Sequence, residues 1–454
     1  MSIIMPPWPR LLSNNVQPGL DRIREIVTAL RVDMSALPPV IHVTGTNGKG
    51  STIAYLGECF KNAKYTTHRY ISPHLMRFNE RIVIRDQEIS DEELEILCNY
   101  GNHIIGDDGR FSFFEATTGL ALYKFSQEKA DALLLEVGMG GNFDATNIVR
   151  DKILNIITPI SLDHTEFLGN SLSSIATEKC GIIGENSITV VSWQPREAVN
   201  TITEYCESKN ANLVLFGRDW NFEVFDEEIE LYFQLPRRLR NKVLSNSLVL
   251  AGIGSLERNV VFRIPKPTLA GIHQFLNAAT AAIAMLMLGL LYYKNFSLLH
   301  ISEAVKHAFW AGRMQKITSN DLGYDLPNNV TLIFDGAHNV GGAEMLMASI
   351  MQFKSSTIPL YVIHGRTKGR DIEGFLRFFQ IETTLLCVTS IRSEPKSESS
   401  LVLYDKAIKM GFNCKIVEDV HDGIRECLSH INNREALILV CGSLYLFADI
   451  KTRD

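Results

Sequence analysis

Eleven consecutive residues carry the densest chemistry in this chain: His42-Val43-Thr44-Gly45-Thr46-Asn47-Gly48-Lys49-Gly50-Ser51-Thr52. They follow the apolar run Val40-Ile41-His42-Val43 and lead into a helical pattern from about Lys49 to Asn62, the setting that a phosphate-cradling loop needs. Glycine lets backbone N–H groups turn toward an anion, a helix N-terminus adds positive potential, and Lys49 supplies a point charge. A hydroxyl from Ser51 or Thr52 can reach Mg²⁺. Gly45, Thr46, Asn47, Gly48, Lys49, Gly50 and Ser51 are therefore the candidate nucleotide-phosphate residues.

Such a loop needs a metal-holding carboxylate on a neighbouring strand. Glu136 closes the apolar run Ala132 to Val137 and is followed by a glycine-rich turn, Gly138 to Gly141. Asp163-His164-Thr165 follows the next apolar run, Ile153 to Ile157, in the same way. Strand ends on one edge of a parallel sheet converge on one crevice, so Lys49, Glu136 and His164 are expected to share a site. A further cluster, Asp335-Gly336-Ala337-His338-Asn339, stands just past another apolar run, and Gly365 to Asp371 (GRTKGRD) ends yet another. Arg313 is a candidate phosphate clamp.

The elements that must position these groups alternate in type. Thr331–Phe334, Leu360–Ile363, Leu385–Thr389 and Ala436–Val440 repeat the pattern of a short run, apolar on both faces, followed by a helical stretch. That grammar implies an α/β fold with parallel sheets covered by helices. Residues 217–270 read as a more irregular, strand-containing stretch. A helix near Leu299 to Phe309 ends at Trp310-Ala311-Gly312-Arg313, where a glycine suits a change of direction. The expected division is residues 1–311 and 312–454, with Gly312 as a hinge on which the two parts close over a ligand.

Composition narrows the function classes. The 454 residues are 46% hydrophobic and 21% charged, with 45 Lys+Arg against 51 Asp+Glu for a net charge of −6. A non-specific nucleic-acid binder is expected to be basic, so no nucleic-acid partner is expected. Eight scattered cysteines form neither a CxxC pair nor a zinc-like pattern, as in a reducing compartment. The opening MSIIMPPWPRLL lacks the basic-then-apolar pattern of a secretory signal. The longest apolar stretch, Ala278 to Tyr293, is shorter than the roughly 20 residues that span a bilayer and is expected to be a buried helix. A cytoplasmic monomer with no membrane partner is the expectation.

The ordered set HVTGTNGKGST (42–52), SPHL (72–75), FFEATT (113–118), EVGMGGNFDATN (136–147), LDHTEFLG (162–169), EKCGII (178–183), HQFLNAATA (273–281), WAGRMQ (310–315), FDGAHN (334–339) and CGSLYL (441–446) resembles the folylpolyglutamate synthase and dihydrofolate synthase family of the Mur ligase superfamily. The resemblance implies an N-terminal P-loop ATPase domain and a smaller, Rossmann-like C-terminal domain. It also implies a reaction in which ATP phosphorylates a carboxylate and the amine of L-glutamate displaces phosphate to leave an amide. Dihydropteroate and tetrahydrofolate are the implied acceptors, with two Mg²⁺ sites. Carried over by motif, Lys49, Glu136, His164, Lys179 and His338 take catalytic roles. Ser51, Ser72, Glu136, His164 and Lys179 take metal-holding ones, and Lys179 matches a lysine that the family carbamylates. Asn277, Arg313 and Asp335 match nucleotide contacts. Phe114, Glu115, Ala116, Thr117, Phe143, Asp144 and Ala145 fall where the family holds its pterin-bearing substrate.

Two departures stand out. Asn142 replaces a basic residue common in the family, which is expected to weaken a contact to a substrate carboxylate. In GRTKGRD, Arg370 replaces the lysine of the usual segment and Lys368-Gly369 replaces its acidic neighbour, which puts the role of Asp371 in doubt. A peptidoglycan-type ligase is disfavoured because that class carries an extra domain ahead of its P-loop. A nucleotide switch without ligase activity would need neither the second cluster at Asp335 to Asn339 nor Lys179. A binding-only remnant is expected to have lost Lys49, Glu136 or His164.

Overall fold

The structure is a computed structural model that describes residues 19–451 apart from 107–108, 246, 254–255, 257–258 and 433; the N-terminal MSIIMPPWPRLL lies outside the described residues. Among the described residues, an eight-stranded sheet runs in the spatial order 87–88, 82–84, 67–70, 132–136, 40–44, 152–157, 188–191, 212–215. The six strands from 67–70 to 212–215 are parallel, and the hairpin 82–88 adds two antiparallel edge strands. Val40-Thr44 and Ala132-Glu136 are fully buried, because helices cover both faces. Leu133 and Leu135 face one core with helices Asp21–Ala29 and Phe113–Gln127, while Ala132 and Leu134 face the other.

That other core is built around the helix His273–Leu291, long and apolar enough to cross a membrane by length and composition, but here buried. It lies between the large sheet with its helix Lys49–Asn62 and an antiparallel sheet of three strands, Trp220–Val224, Glu228–Phe233 and Val260–Pro265. The irregular stretch 217–270 is thus a lid of its own over the central helix. Phe60 ties the two helices together, edge-on to Tyr293 at 4.8 Å and to Phe296 at 4.9 Å.

A third sheet, in the order 315–317, 330–335, 436–441, 360–364, 383–388, 414–416, is parallel except for its first edge strand. It begins immediately after the left-handed Gly312, at φ +77°. Helix caps follow from local sequence: Ser90 and Ser112 each accept the backbone N–H of the glutamate three residues on, which reaches back in turn. All eight cysteines are buried and unpaired.

The Phe60 ring is fully buried, so Phe60→Ala removes both its transfer energy and its aromatic contacts. Urea unfolding is expected to record a loss of about 3–5 kcal/mol; a change below about 1 kcal/mol would contradict the packing described.

Candidate active site

The parallel strands place their carboxyl ends on one side, and there a cleft of about 2020 Å³ opens between the large sheet and the third sheet. Its floor is the loop Gly45–Ser51. Gly48, at φ +92°, begins the helix Lys49–Asn62 with no side-chain cap, which leaves the first-turn N–H groups open to an anion. A Cβ on Gly48 would lie 2.4 Å from the Asn277 Oδ1, so only glycine lets Asn277 approach the loop this closely. Asn277 donates to Gln274 at 3.1 Å, and Gln274 donates to the Ser51 hydroxyl at 3.2 Å. The fully buried Gln274 thereby links two candidate nucleotide residues.

Two lysines enter the same loop. The Lys49 Nζ donates to the carbonyls of Gly45 at 3.1 Å and Thr46 at 3.3 Å, and the Lys179 Nζ donates to Gly45 at 3.0 Å. Burial, and then the positive Lys49 beside it, pushes the Lys179 amine down to about 7. Burial also lowers Lys49, with Glu136 acting against it. Glu136 is buried at the end of its strand, where desolvation raises its pKa, and the Ser72 N–H donates to it at 3.1 Å. Ser72 itself lines the cleft.

The second domain reaches across. Asn47 and Asn339 exchange amide hydrogen bonds at 3.2 and 3.0 Å, and Asn339 also donates to Asp163 at 3.1 Å. Arg370 pairs with Asp163 and donates to the His164 Nε2 at 3.3 Å, while the His338 Nε2 lies 3.7 Å from Asp163. Burial brings both imidazoles down to about 4. The neighbouring His338, Lys49 and Lys179 add to the effect at His164; at His338 the Gly336 carbonyl opposes it and Arg313 adds to it. The Asp335 carboxylate receives the N–H groups of Met314 and Ala337, both at 2.8 Å, so it braces the turn beside Arg313 at the cleft wall.

On the opposite wall the cleft touches Phe114, Phe143, Asp144 and Ala145. Asp144 receives the N–H groups of Met139 at 2.9 Å and Thr146 at 3.0 Å, which shapes the glycine turn. Glu115 lines the cleft, but its carboxylate is engaged by the Ser112 cap and by Arg22 at 2.9 Å. Ala116 and Thr117 do not reach the cleft. The helix turns them inward: Ala116 joins the apolar core, and the Thr117 hydroxyl donates to the Phe113 carbonyl at 2.7 Å. Asn142 is not part of the cleft wall either; its N–H donates to the Glu178 carbonyl at 2.7 Å.

Sequence reasoning missed Arg81. This guanidinium is 6% exposed, donates to the His74 Nδ1 at 2.7 Å, and stacks over Phe78 and Phe113 on the cleft wall. Its signal, one arginine before the short strand Ile82–Ile84, is too slight to read without the fold. A metal fits the carboxylate end of the cleft. Glu136 offers a buried carboxylate with a single N–H on it, and among the described residues no three His, Cys, Asp or Glu side chains cluster as a metal cage. Mg²⁺ is commonly held by one or two carboxylates plus phosphate and water, so one carboxylate beside a phosphate loop suits it.

Comparison with known proteins adds the following. Residues 43–285 match the Mur ligase middle domain, and residues 312–444 match the Mur ligase, glutamate ligase domain. The chain is 30% identical to the dihydrofolate synthase/folylpolyglutamate synthase of Bacillus subtilis, over 97% of this chain and 96% of that protein. It is similar in structure to Escherichia coli FolC in complex with DHPP and ADP, with a TM-score of 0.79 and 28% identity over 97% of this chain and 94% of that one. A bifunctional folylpolyglutamate synthase/dihydrofolate synthase with Mn, AMPPNP and L-glutamate bound gives a TM-score of 0.76 at 27% identity, over 95% of this chain and 93% of that one.

Four imidazoles, His74, His164, His338 and His364, are held down to about 3 or 4, chiefly by burial, against an ordinary 6.5. Between those values the unfolded chain carries more protons than the folded one, so stability drops as pH falls below about 6.5. The urea midpoint of the metal-free protein is expected to be lower at about pH 5 than at about pH 7; a flat profile between them would contradict the burial.

Proposed function

The chain belongs to the Mur ligase family, and from that premise we propose how this cleft makes an amide. It is an ATP-dependent ligase of the dihydrofolate synthase/folylpolyglutamate synthase kind, acting on small molecules with ATP and a divalent metal as cofactors. One observation carries the assignment of roles: the phosphate loop of the first domain and the Asp335–Asn339 turn of the second face one cleft and are bonded across it. A nucleotide switch has no need of that second wall.

The proposed roles follow the chemistry of each group. Gly45 to Ser51 cradle the ATP phosphates, and Lys49 leaves the Gly45 and Thr46 carbonyls for the γ-phosphoryl oxygens as charge builds there. Asn277, Arg313 and Asp335 flank the nucleotide. Ser51, Ser72, Glu136 and His164 hold the metal, which when bound neutralises phosphoryl charge. Phe114, Phe143, Asp144 and Ala145 seat the pterin-bearing acid with its carboxylate toward the loop. The carboxylate oxygen takes the γ-phosphoryl group from ATP, releasing ADP. The amine of L-glutamate then forms the C–N bond, phosphate leaves with the carboxylate oxygen, and a proton is lost from nitrogen. The neutral His338 stands where that proton can be received. The closed cleft keeps water from the acyl phosphate.

L-Glutamate enters from the C-terminal side, where Arg370 is a cation on the cleft wall of the domain matched as a glutamate ligase domain. The chain divides at residues 1–311 and 312–454 and acts as a monomer on dihydropteroate and tetrahydrofolate alike. Lys179, with its amine held near 7, is neutral often enough at physiological pH to add CO₂; the resulting carbamate serves as the extra carboxylate for a second metal.

The test is glutamate-dependent ADP release with Mg²⁺, with dihydropteroate and tetrahydrofolate compared as acceptors. Turnover with both is expected; turnover with neither while ATP still binds removes the reading. Lys49→Ala is expected to lower kcat roughly a hundred- to a thousand-fold. Lys179→Ala is expected to lower it as well and to abolish any dependence on added bicarbonate. Wild-type activity indifferent to removal of CO₂ and bicarbonate would remove the carbamate from the scheme.

A further inference from the structure

The largest fully buried side chain in this protein is a charged one, Arg366, at 1% exposure. It stands in the segment Gly365–Asp371, just past the strand Leu360–His364, yet it does not line the cleft, whereas Thr367 and Arg370 do. Among the described residues no carboxylate is hydrogen-bonded to it. One terminal nitrogen donates to the Asp371 carbonyl at 3.0 Å and the other to the His338 carbonyl at 3.2 Å, and the guanidinium lies over the Phe375 ring at 5.3 Å. Burial works against the charge, Asp371, Glu398 and Glu373 favour it only from beyond hydrogen-bond distance, and two backbone carbonyls are a modest return in stability alone.

What those two bonds span is informative. His338 follows the strand Val330–Asp335, and Asp371 follows Leu360–His364; in the sheet these strands are not neighbours, because Ala436–Cys441 runs between them. Past the end of that middle strand comes Gly442, at φ +114°, where a Cβ would lie 2.5 Å from both the Gly365 carbonyl oxygen and the His364 Nδ1. No side chain can rise from Gly442 to separate or support the two loops. Two backbone bonds of the 365–371 segment run the other way: Lys368 N–H donates to the Lys396 carbonyl, and the Arg366 carbonyl receives the Glu398 N–H. Arg366 alone among these contacts ties that segment back to the His338 turn. A planar guanidinium with two parallel donors suits such a bridge.

We propose that Arg366 is a positioning residue of the ligation site, a strut that sets the separation of His338 and Arg370, two of the groups that converge on Asp163 and that come from different loops. The assignment rests on the reading that L-glutamate enters beside Arg370. It takes up the departure in GRTKGRD: the buried strut at the first arginine holds the second one, on the cleft wall, in place.

The experiment compares wild type, Arg366→Met and Arg366→Lys. Methionine fills much of the volume and removes both bonds. Lysine carries a point charge that cannot serve both carbonyls in one plane. For Arg366→Met the KM for L-glutamate is expected to rise roughly 10- to 100-fold, as for residues that orient a contact group, with ADP affinity unchanged. Trapping of the acyl phosphate by hydroxylamine, which needs no L-glutamate, is expected to stay at the wild-type rate. Arg366→Lys is expected to fall between. An unchanged glutamate KM in Arg366→Met overturns the proposal, as does an equal loss in glutamate use and hydroxylamine trapping. If Arg366→Met does not fold, Arg366→Lys decides, and a wild-type glutamate KM there overturns it. Hydrogen exchange at residues 365–371 is read in parallel and needs no turnover: faster exchange in the variant is expected, and unchanged exchange overturns the strut. Absence of turnover in the wild type would instead count against the ligase reading, which keeps the two failures apart.

Discussion

Two lysine amines meet at one carbonyl oxygen, that of Gly45. Burial lowers both amines, and the charge of Lys49 lowers Lys179 further. Among the described residues neither lysine has a carboxylate within ion-pair distance. The arrangement holds only because the loop backbone offers its carbonyls and the sheet beneath is rigid. It leaves the floor of the cleft with positive charge to spare, which a polyphosphate satisfies better than any group of the protein. The order of strands follows from the same need. Placing 40–44 between 132–136 and 152–157 brings Lys49, Glu136 and the Asp163–His164 turn to one edge.

The opposite wall answers a different requirement. An amine must reach an activated carboxylate while water stays out, so the site is divided between two sheets and completed only where they meet. Asp163 is the point of meeting: it stands in the loop after strand 152–157 of the first sheet and receives Arg370 and Asn339 from loops of the second domain. The Asn47–Asn339 pair fastens the phosphate loop itself to the second domain.

Much of this was legible in the residues. Runs apolar on both faces, such as Ala132 to Val137, can only be covered parallel strands, and a glycine loop between a strand and a helix has few other uses. The stretch Ala278 to Tyr293 reads as a buried helix because its polar residues are too few to make a wet face, and the structure buries it from Ala278 to Leu291 while Tyr292 is exposed. Ala116 and Thr117 show where such reading stops. They belong to a motif by adjacency, but a helix turns by about 100° per residue, and its rotation is set by the core it packs on. Arg81 and Arg366 were illegible for a related reason: each is defined by a partner that only the fold brings near, the ring of Phe113 and the carbonyl of His338. The strands Ile188–Val191 and Asn212–Leu215 are short and mark no chemistry, so they drew no notice.

The helix His273–Leu291 is laid against a sheet whose central strand, Val40–Thr44, precedes it by more than two hundred residues. On a ribosome this means that Ile41, Val43 and Leu134 emerge long before the surface they are to rest on. The nascent chain can form its local helices and hairpins and lay helix Lys49–Asn62 on part of this face, but the rest of it stays wet until Leu291 has left the exit tunnel. Synthesis at roughly 5–20 residues per second stretches that interval to tens of seconds. During it the apolar face is open to other chains, and a chaperone that shields it would be serving a late-made helix of the domain rather than the first.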